Sequence, residues 1–444
     1  MKKIGFMLLA SLVIAGFIIV KGEESLGWDK SAIEIEEPRY ELNQVLCDNS
    51  CTGEAIPEID RKITRYLRQW AIKGASLAIT RNDSLVYAKG YGWADEDQQI
   101  PMGPGHLLRM ASVSKLVTAA AIMRLCDKGL LSLDTPVFGE TGILADEPYA
   151  AVIKDRNFAK ITVEHLLRHQ SGFYRDPVFS SNDVRSQMQL DHAPTYEDFA
   201  RLVLSHRLRY QPGTAQHYSN FGYMVLSAII EKVTGMPYID FISQEVMAPA
   251  GCYDFHISGN YYQDKRANEA RYYTHEGDGK FISEYNGSGR MVERSYGGNN
   301  IPLLSGAGGL CASTIELARF VCSIDGRPEV PDIITPESFH AMIEYFDKAT
   351  FSLGWNDTCP ASGWSRTGTL SGTCALVRYF PDGECWILIT NTSTWRGHTQ
   401  SRLTERLFKD LRTAYSSKLP AVNLFTDGPV QEEAIIGEVS NIGN

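Results

Sequence analysis

Apolar residues recur at helical spacing through IPEIDRKITRYLRQWAIKG (56–74), and the pattern then changes to two extended apolar runs around a tight polar turn in GASLAITRNDSLVYAKGYGWAD (74–95). The first predicts an amphipathic helix, the second a pair of strands. From about 130 to 300 the chain reads as mostly helical and rich in loops. After it, STIELARFVCSID (313–325) predicts a helix and SGWSRTGTLSGTCALVRYFPDGECWILITNTS (362–393) three antiparallel strands. QSRLTERLFKDLRTAYSS (400–417) then predicts an amphipathic helix. Strands near both ends with helices between them predict an α+β fold, in which an antiparallel sheet built from both ends of the chain is flanked by helices and carries a mostly helical insertion.

Two stretches depart from ordinary patterning. RMASVSKLVTAAAIMRLCDKG (109–129) is apolar enough for a fully buried helix, yet its first turn carries Ser112 and Lys115. The first 25 residues place Lys2 and Lys3 before an unbroken apolar run from Ile4 to Val20, followed by Lys21 and an acidic stretch. That order is a charged region followed by a hydrophobic one, the pattern of an export signal, and the run is also long enough to remain as a membrane anchor. Residues 1–22 are therefore expected to be a signal peptide or an N-terminal anchor, with the protein periplasmic or facing another extracytoplasmic space. Residues 23–54 read as an irregular segment, 55–419 as one catalytic domain, and 420–444 as a peripheral tail with four acidic residues and no basic ones.

The composition, 43% hydrophobic and 22% charged over 444 residues, is that of a globular chain, and a net charge of −10 argues against a nucleic-acid partner. Nine cysteines leave at least one unpaired. Cys47 and Cys51 are close enough in sequence to bridge. Cys374 and Cys385 flank a hairpin whose register pairs each with another residue, so no bond between them is expected. The cysteines show no metal-ligand spacing, and no cofactor fingerprint occurs. His165 and His169 in HLLRH stand four apart without the HExxH pattern of a zinc site, and read as packing or hydrogen-bonding residues. There is no GxSxG elbow or P-loop, and NGSGRMVERSYGGNN (286–300) reads as a flexible loop rimming a cleft.

On a helix, residues three apart share a face with Cβ atoms roughly 5–6 Å apart, so the Lys115 ammonium can reach the Ser112 hydroxyl. The positive end of the helix favours an alkoxide or an oxyanion there. An N-cap serine followed by a surface lysine would explain the pair equally well in isolation. Two further elements change that. Tyr218-Ser219-Asn220 stands immediately before the amphipathic run NFGYMVLSAIIEKVTG, and Arg366-Thr367-Gly368 stands at the start of a strand.

With these three motifs in this order, the chain resembles the serine β-lactamase and penicillin-binding protein superfamily, in the branch of class C β-lactamases, D-alanyl-D-alanine carboxypeptidases and related esterases. The likeness runs over roughly residues 58–415, through stretches such as ITVEHLLRHQSGF and GAGGLCASTIELARF. It implies the β-lactamase/DD-peptidase-like fold and an acyl-enzyme formed on Ser112, with Lys115 assisting its deprotonation. Tyr218 becomes the general base or proton shuttle, its phenol acidified by the ammonium, where class A enzymes carry Ser-Asp-Asn instead. Asn220 would hold Lys115 and the substrate amide in register, and the N–H groups of Ser112 and Thr369 would form the oxyanion hole. Gly368 would let the substrate lie close to the strand beside Thr367.

Arg366 departs from the lysine or histidine usual at its position. A guanidinium does not deprotonate, and its fork suits a carboxylate. The expectation is an exported serine hydrolase acting on a small amide or ester that bears a carboxylate, with cell-wall peptides among the candidate substrates. The alternatives are a class C-like β-lactamase and a penicillin-binding-like protein with little or no turnover.

Overall fold

The computed structural model describes residues 56–282, 285–345 and 351–425. Helix α1 (Pro57–Gln69) buries Ile59, Ile63, Tyr66 and Leu67 on one side and leads into strands β1 (Gly74–Arg81), β2 (Ser84–Asp95) and β3 (Ile100–Pro101). The turn between β1 and β2 places Asn82 and Asp83 at φ 47° and 59°. Short polar side chains tolerate that left-handed conformation, which suits a two-residue hairpin.

A two-residue strand β4 (Leu108–Arg109) precedes helix α2 (Ser114–Asp127). Helix α3 (Asn220–Thr234), strand β5 (His256–Ile257), helix α4 (Ile301–Gly308), strand β6 (Leu310–Ala312) and helix α5 (Thr314–Cys322) follow. Strands β7 (Trp364–Leu370), β8 (Thr373–Tyr379) and β9 (Glu384–Thr390) and helix α6 (Gln400–Tyr415) complete the order.

The main sheet runs β7-β8-β9-β1-β2-β3 and is antiparallel throughout, and the strands from the two ends of the chain meet in it at β1 and β9, with Ala78 opposite Ile387. This is the expected sheet built from both ends of the chain. One face packs on α1 and α6 through Leu77, Ile79, Leu376, Trp386, Leu388, Phe408 and Leu411. The other carries α5, tied on by a 2.6 Å hydrogen bond between Ser76 and Thr314. With helices on both faces, every residue of β8 and β9 is buried. That is why these strands read as continuous apolar runs instead of alternating ones. Cys374 faces Thr390 and Cys385 faces Tyr379, and both are free thiols, as the hairpin register predicts.

The insertion is helical only in part. It carries α3 with shorter helices and turns up to Met247, but from 251 to 300 it forms two- and three-residue strands, two 3₁₀ turns and loops. That segment is dense in Gly, Asn and Tyr and lacks an apolar 3.6-residue period, so no long helix gains a buried face there. Within it β5 joins β6 and β4 in a small sheet of order β4-β6-β5.

The beginning of the acidic tail is not peripheral, since Leu424 N–H donates to Leu85 O at 2.8 Å and Phe425 lies under Arg319. The expectations for residues 1–54, the Cys47–Cys51 pair included, and for the tail beyond 425 lie outside the described residues. Among the described residues no helix is long and apolar enough to cross a membrane.

Candidate active site

Ser112 does not sit in the first turn of α2. It lies in a 3₁₀ turn, Ala111–Val113, immediately before that helix, entered through Ala111 at φ 48°. A non-glycine residue in the left-handed region costs of order 1–3 kcal/mol and persists only where surrounding contacts impose it. Here those contacts are Met110 N–H on Leu310 O at 3.0 Å and Ser114 Oγ, which accepts from Leu310 N–H at 3.2 Å. The bend presents the hydroxyl while the apolar remainder of α2 stays buried as its mount.

Lys115 is fully buried. Its Nζ donates to Ser112 Oγ at 3.3 Å, to Asn220 Oδ1 at 2.9 Å and to the Ala307 carbonyl. Burial, with the Arg366 charge adding to it against the pull of Tyr218, lowers its pKa to about 8. Tyr218 Oη donates to Ser112 Oγ at 2.8 Å and accepts from Arg366 Nη2 at 3.1 Å. Burial alone would raise this phenol, but the Lys115 and Arg366 charges outweigh it and bring it below its ordinary value of 10. The ring is held by His169, 4.3 Å away between centroids, and edge-on by Phe351 at 5.6 Å.

Asn220 opens α3, where Ser219 is the N-cap, its hydroxyl accepting from Gly222 N–H. The Asn220 amide is oriented from behind by Asp176, a half-buried carboxylate that accepts from the backbone N–H and Nδ2 of Asn220 and from Phe221 N–H. With Nδ2 held there, Oδ1 is left facing the ammonium.

On β7, the edge strand of the sheet, Arg366 is only 1% exposed. Its Nε donates to Ser112 O at 2.8 Å, and its Nη2 is the one on Tyr218. The fork expected to bind a substrate carboxylate is thus engaged on the nucleophile's own carbonyl and on the base. Thr367 turns its N–H and hydroxyl to Asn356 Oδ1, at 2.7 and 3.2 Å, away from a substrate role.

Gly368 also has a different reason from the expected one. A Cβ there would lie 2.2 Å from Met110 O and 3.0 Å from Ser112 N, so its bareness admits the nucleophile turn against β7, not the substrate. The N–H groups of Ser365 and Thr367 point off the open edge, to Asp357 O and Asn356 Oδ1. Strand alternation puts Thr369 N–H on that same edge, beside the Ser112 turn, the arrangement an oxyanion hole requires. A cavity of about 440 Å³ opens from Thr369 and Ser371 past Arg294, His275 and Trp395. The 286–300 stretch supplies Arg294, Gly298 and Asn299 to its rim, as expected.

The comparisons agree with this geometry. The Beta-lactamase family model matches residues 59–408. The chain belongs to that family. It is 27% identical to the putative penicillin-binding protein PbpX of Bacillus subtilis over 342 residues, 76% of this chain and 75% of that one. In fold it is similar to the octameric penicillin-binding protein homologue of Pyrococcus abyssi (TM-score 0.59, 23% identity, 85% of this chain and 80% of that one). It is also similar to D-amino acid amidase from Ochrobactrum anthropi SV3 (TM-score 0.62, 20% identity, 84% and 99%). The fold is accordingly the β-lactamase/penicillin-binding one, that of a family of serine hydrolases.

Within this β-lactamase-family site, Ser112, Lys115, Tyr218, Asn220 and Arg366 converge as a single hydrogen-bonded group. The two histidines of HLLRH do not share a helix face. The helix ends at Leu167, His165 closes its N-terminal capping box, and His169, at φ 57°, accepts from Ser219 N–H through Nδ1. Sequence reading missed Asp176, Asn356 and Phe351. Each acts on a residue 11 to 133 positions away, and no local pattern marks it.

Proposed function

We propose that this chain is a serine hydrolase that cleaves small amides or esters through an acyl ester on Ser112, with peptidase or esterase action as the leading form. The observation that carries the reading is the pair of contacts on one oxygen: Tyr218 Oη at 2.8 Å and Lys115 Nζ at 3.3 Å from Ser112 Oγ. In acylation the Ser112 O–H bond breaks, its proton passes to the Tyr218–Lys115 pair, and Oγ bonds to the substrate carbonyl carbon. Collapse of the tetrahedral adduct returns that proton to the departing amine or alcohol. A water then repeats the sequence on the ester. The Ser112 and Thr369 N–H groups face the developing oxyanion. A substrate carboxylate is not part of this reading, because the Arg366 fork is engaged within the protein.

A second reading is favoured by the likeness to a putative penicillin-binding protein: acylation by β-lactams with slow or no release. A fluorophosphonate and a fluorescent penicillin, followed over time in the parent and in Ser112→Ala, test both. Label on the parent and none on the folded variant supports the acyl-serine reading. Loss of the penicillin label with time indicates β-lactam hydrolysis, and its persistence the penicillin-binding form. Labelling that survives Ser112→Ala rejects the mechanism. The basic and apolar N-terminal residues support export, which cell fractionation with sequencing of the mature N-terminus checks; a cytoplasmic protein retaining Met1 would refute it.

A further inference from the structure

The small sheet beneath the nucleophile turn collects a second set of chemistry-bearing groups that the hydrolase does not use. His256 on β5 stands opposite Cys311 on β6, and Arg109 on β4 stands opposite the same Cys311 on its other side. Glu269 is brought over them by the turn that precedes Ala270. One ligand atom from each of His256, Glu269 and Cys311 lies within 4.8 Å of the other two, and their residues are 5%, 3% and 0% exposed.

Three features separate this group from an ordinary buried ion pair. His256 Nδ1 lies 3.0 Å from the Asp254 carbonyl, which can only accept, so the ring proton sits on Nδ1 and the Nε2 lone pair points inward. Nε2 is buried and has no hydrogen-bond partner. It stands 3.6 Å from Glu269 Oε2, too far for a hydrogen bond. That separation falls within the edge of a zinc tetrahedron, roughly 3.3–3.8 Å for ligand distances of about 2.0–2.3 Å. The other carboxylate oxygen, Oε1, is fixed by Ser258 Oγ at 2.7 Å and Tyr272 Oη at 2.8 Å, while Oε2 accepts from Arg266 N–H at 3.3 Å and faces the imidazole with its remaining lone pair. Arg109 is engaged with Ser258 Oγ, Ser295 O and Gly259 O and does not cap Oε2.

We propose that His256, Glu269 and Cys311 bind one divalent cation of the zinc class, which clasps the small sheet under the Ser112 turn. Imidazole, carboxylate and thiolate together suit zinc and exclude magnesium or calcium. The Tyr272 hydroxyl, 3.7 Å from Cys311 Sγ, accepts from Arg109 N–H and donates to Glu269 Oε1, so it supports the carboxylate from behind. The site is closed, so the ion is structural. It pins β5 and the Glu269 turn to β6, whose other neighbour, β4, runs directly into the strained turn at Ala111. On binding, the Cys311 S–H bond breaks, the sulfur–metal bond forms, and one proton leaves to solvent.

The test uses the full chain, stripped of metal by a chelator, in a background of Cys47→Ser, Cys51→Ser, Cys126→Ser and Cys359→Ser that keeps only the cysteines buried among the described residues. Cobalt(II) should be taken up at one per chain with a thiolate-to-cobalt charge-transfer absorption and release of one proton, and zinc should displace it. Cys311→Ser should abolish the absorption, and His256→Gln should weaken uptake by ~100-fold or more. An absence of the absorption in the background protein overturns the proposal outright, whatever the variants do, and leaves His256 and Glu269 as an ion pair. So does an absorption that Cys311→Ser or His256→Gln leaves at full strength and affinity.

Discussion

The layer between the main sheet and helices α1 and α6 and the layer between β7, α2 and α3 are both buried, but they are built differently. In the first, Leu77, Ile79, Leu376, Trp386, Leu388, Phe408 and Leu411 meet one another, and the polar contacts sit at the margin, as in Arg81 and Arg412 on Glu384. In the second, buried Lys115, Arg366 and Asn220 are held together with half-buried Tyr218 and Asp176, and two of the five are cations. The apolar layer stabilises through removal of surface from water, a non-directional effect. The polar layer takes two positive charges out of water with no direct ion pair, the Asp176 carboxylate reaching Lys115 only through Asn220, which is costly to stability. What that arrangement gives is a lowered phenol and a lowered ammonium beside one hydroxyl. The contrast teaches that the two layers should fail in different measurements.

The largest effect is expected at Tyr218. Tyr218→Phe keeps the ring against His169 and Phe351 and removes only the proton carrier, so kcat/KM should fall by about 10²–10⁴. The melting temperature should fall by much less than for a core truncation, since the ring packing is kept and what is lost is the hydrogen bond from Arg366 Nη2. A loss under threefold would mean Lys115 alone moves the proton. A large loss of stability would mean the two layers are not separable.

The converse comes from Leu388→Ala on β9, a side chain 1% exposed within the apolar layer. It should destabilise by about 2–5 kcal/mol in denaturant unfolding, through lost transfer energy and the cavity left behind. kcat per folded molecule should be unchanged. A variant equally stable but catalytically slow would break the comparison from the other side.

This division also marks what could be read in advance. The apolar layer was legible because its signals are local: the period of α1 and α6, the polar Asn82-Asp83 turn, the continuous runs of β8 and β9. In the polar layer, the residue types of Ser112, Lys115, Tyr218, Asn220 and Arg366 were legible through their three motifs, but their partners were not. Asp176 reaches Asn220 across 44 residues, and only the fold sets that meeting. Gly368 was assigned to the substrate, whereas the space it leaves is filled by Met110 O and the Ser112 turn. The segment 251–300 was misjudged as mostly helical because its order comes from side-chain bonds such as Glu269 to Ser258 within it and Tyr272 to Arg109 on β4, which periodicity does not register.

The smallest and most informative effect is expected at Arg366. Its guanidinium is among the charges that hold the Tyr218 phenol below its ordinary value, after the Lys115 charge. Catalysis needs the phenol deprotonated, so kcat/KM should rise with pH as that group ionises, in a limb that belongs to the coupled Tyr218–Lys115 pair. Arg366→Gln removes a charge that favours phenolate, so the folded-state pKa rises and the limb should move to higher pH. At neutral pH the loss should be what a charged hydrogen bond is worth, about 1.5–3 kcal/mol, recovering as pH increases. Arg366→Lys keeps the charge without the fork and should leave the limb near its original place. A limb unmoved by Arg366→Gln would show that Arg366 does not set the phenol, and one displaced equally by lysine would assign the effect to the fork's geometry on Ser112 O. Running the series on a carboxylate-bearing substrate and on its methyl ester decides the remaining alternative. Equal losses on the two fit a guanidinium engaged within the protein, and a loss confined to the acid would return Arg366 to substrate binding.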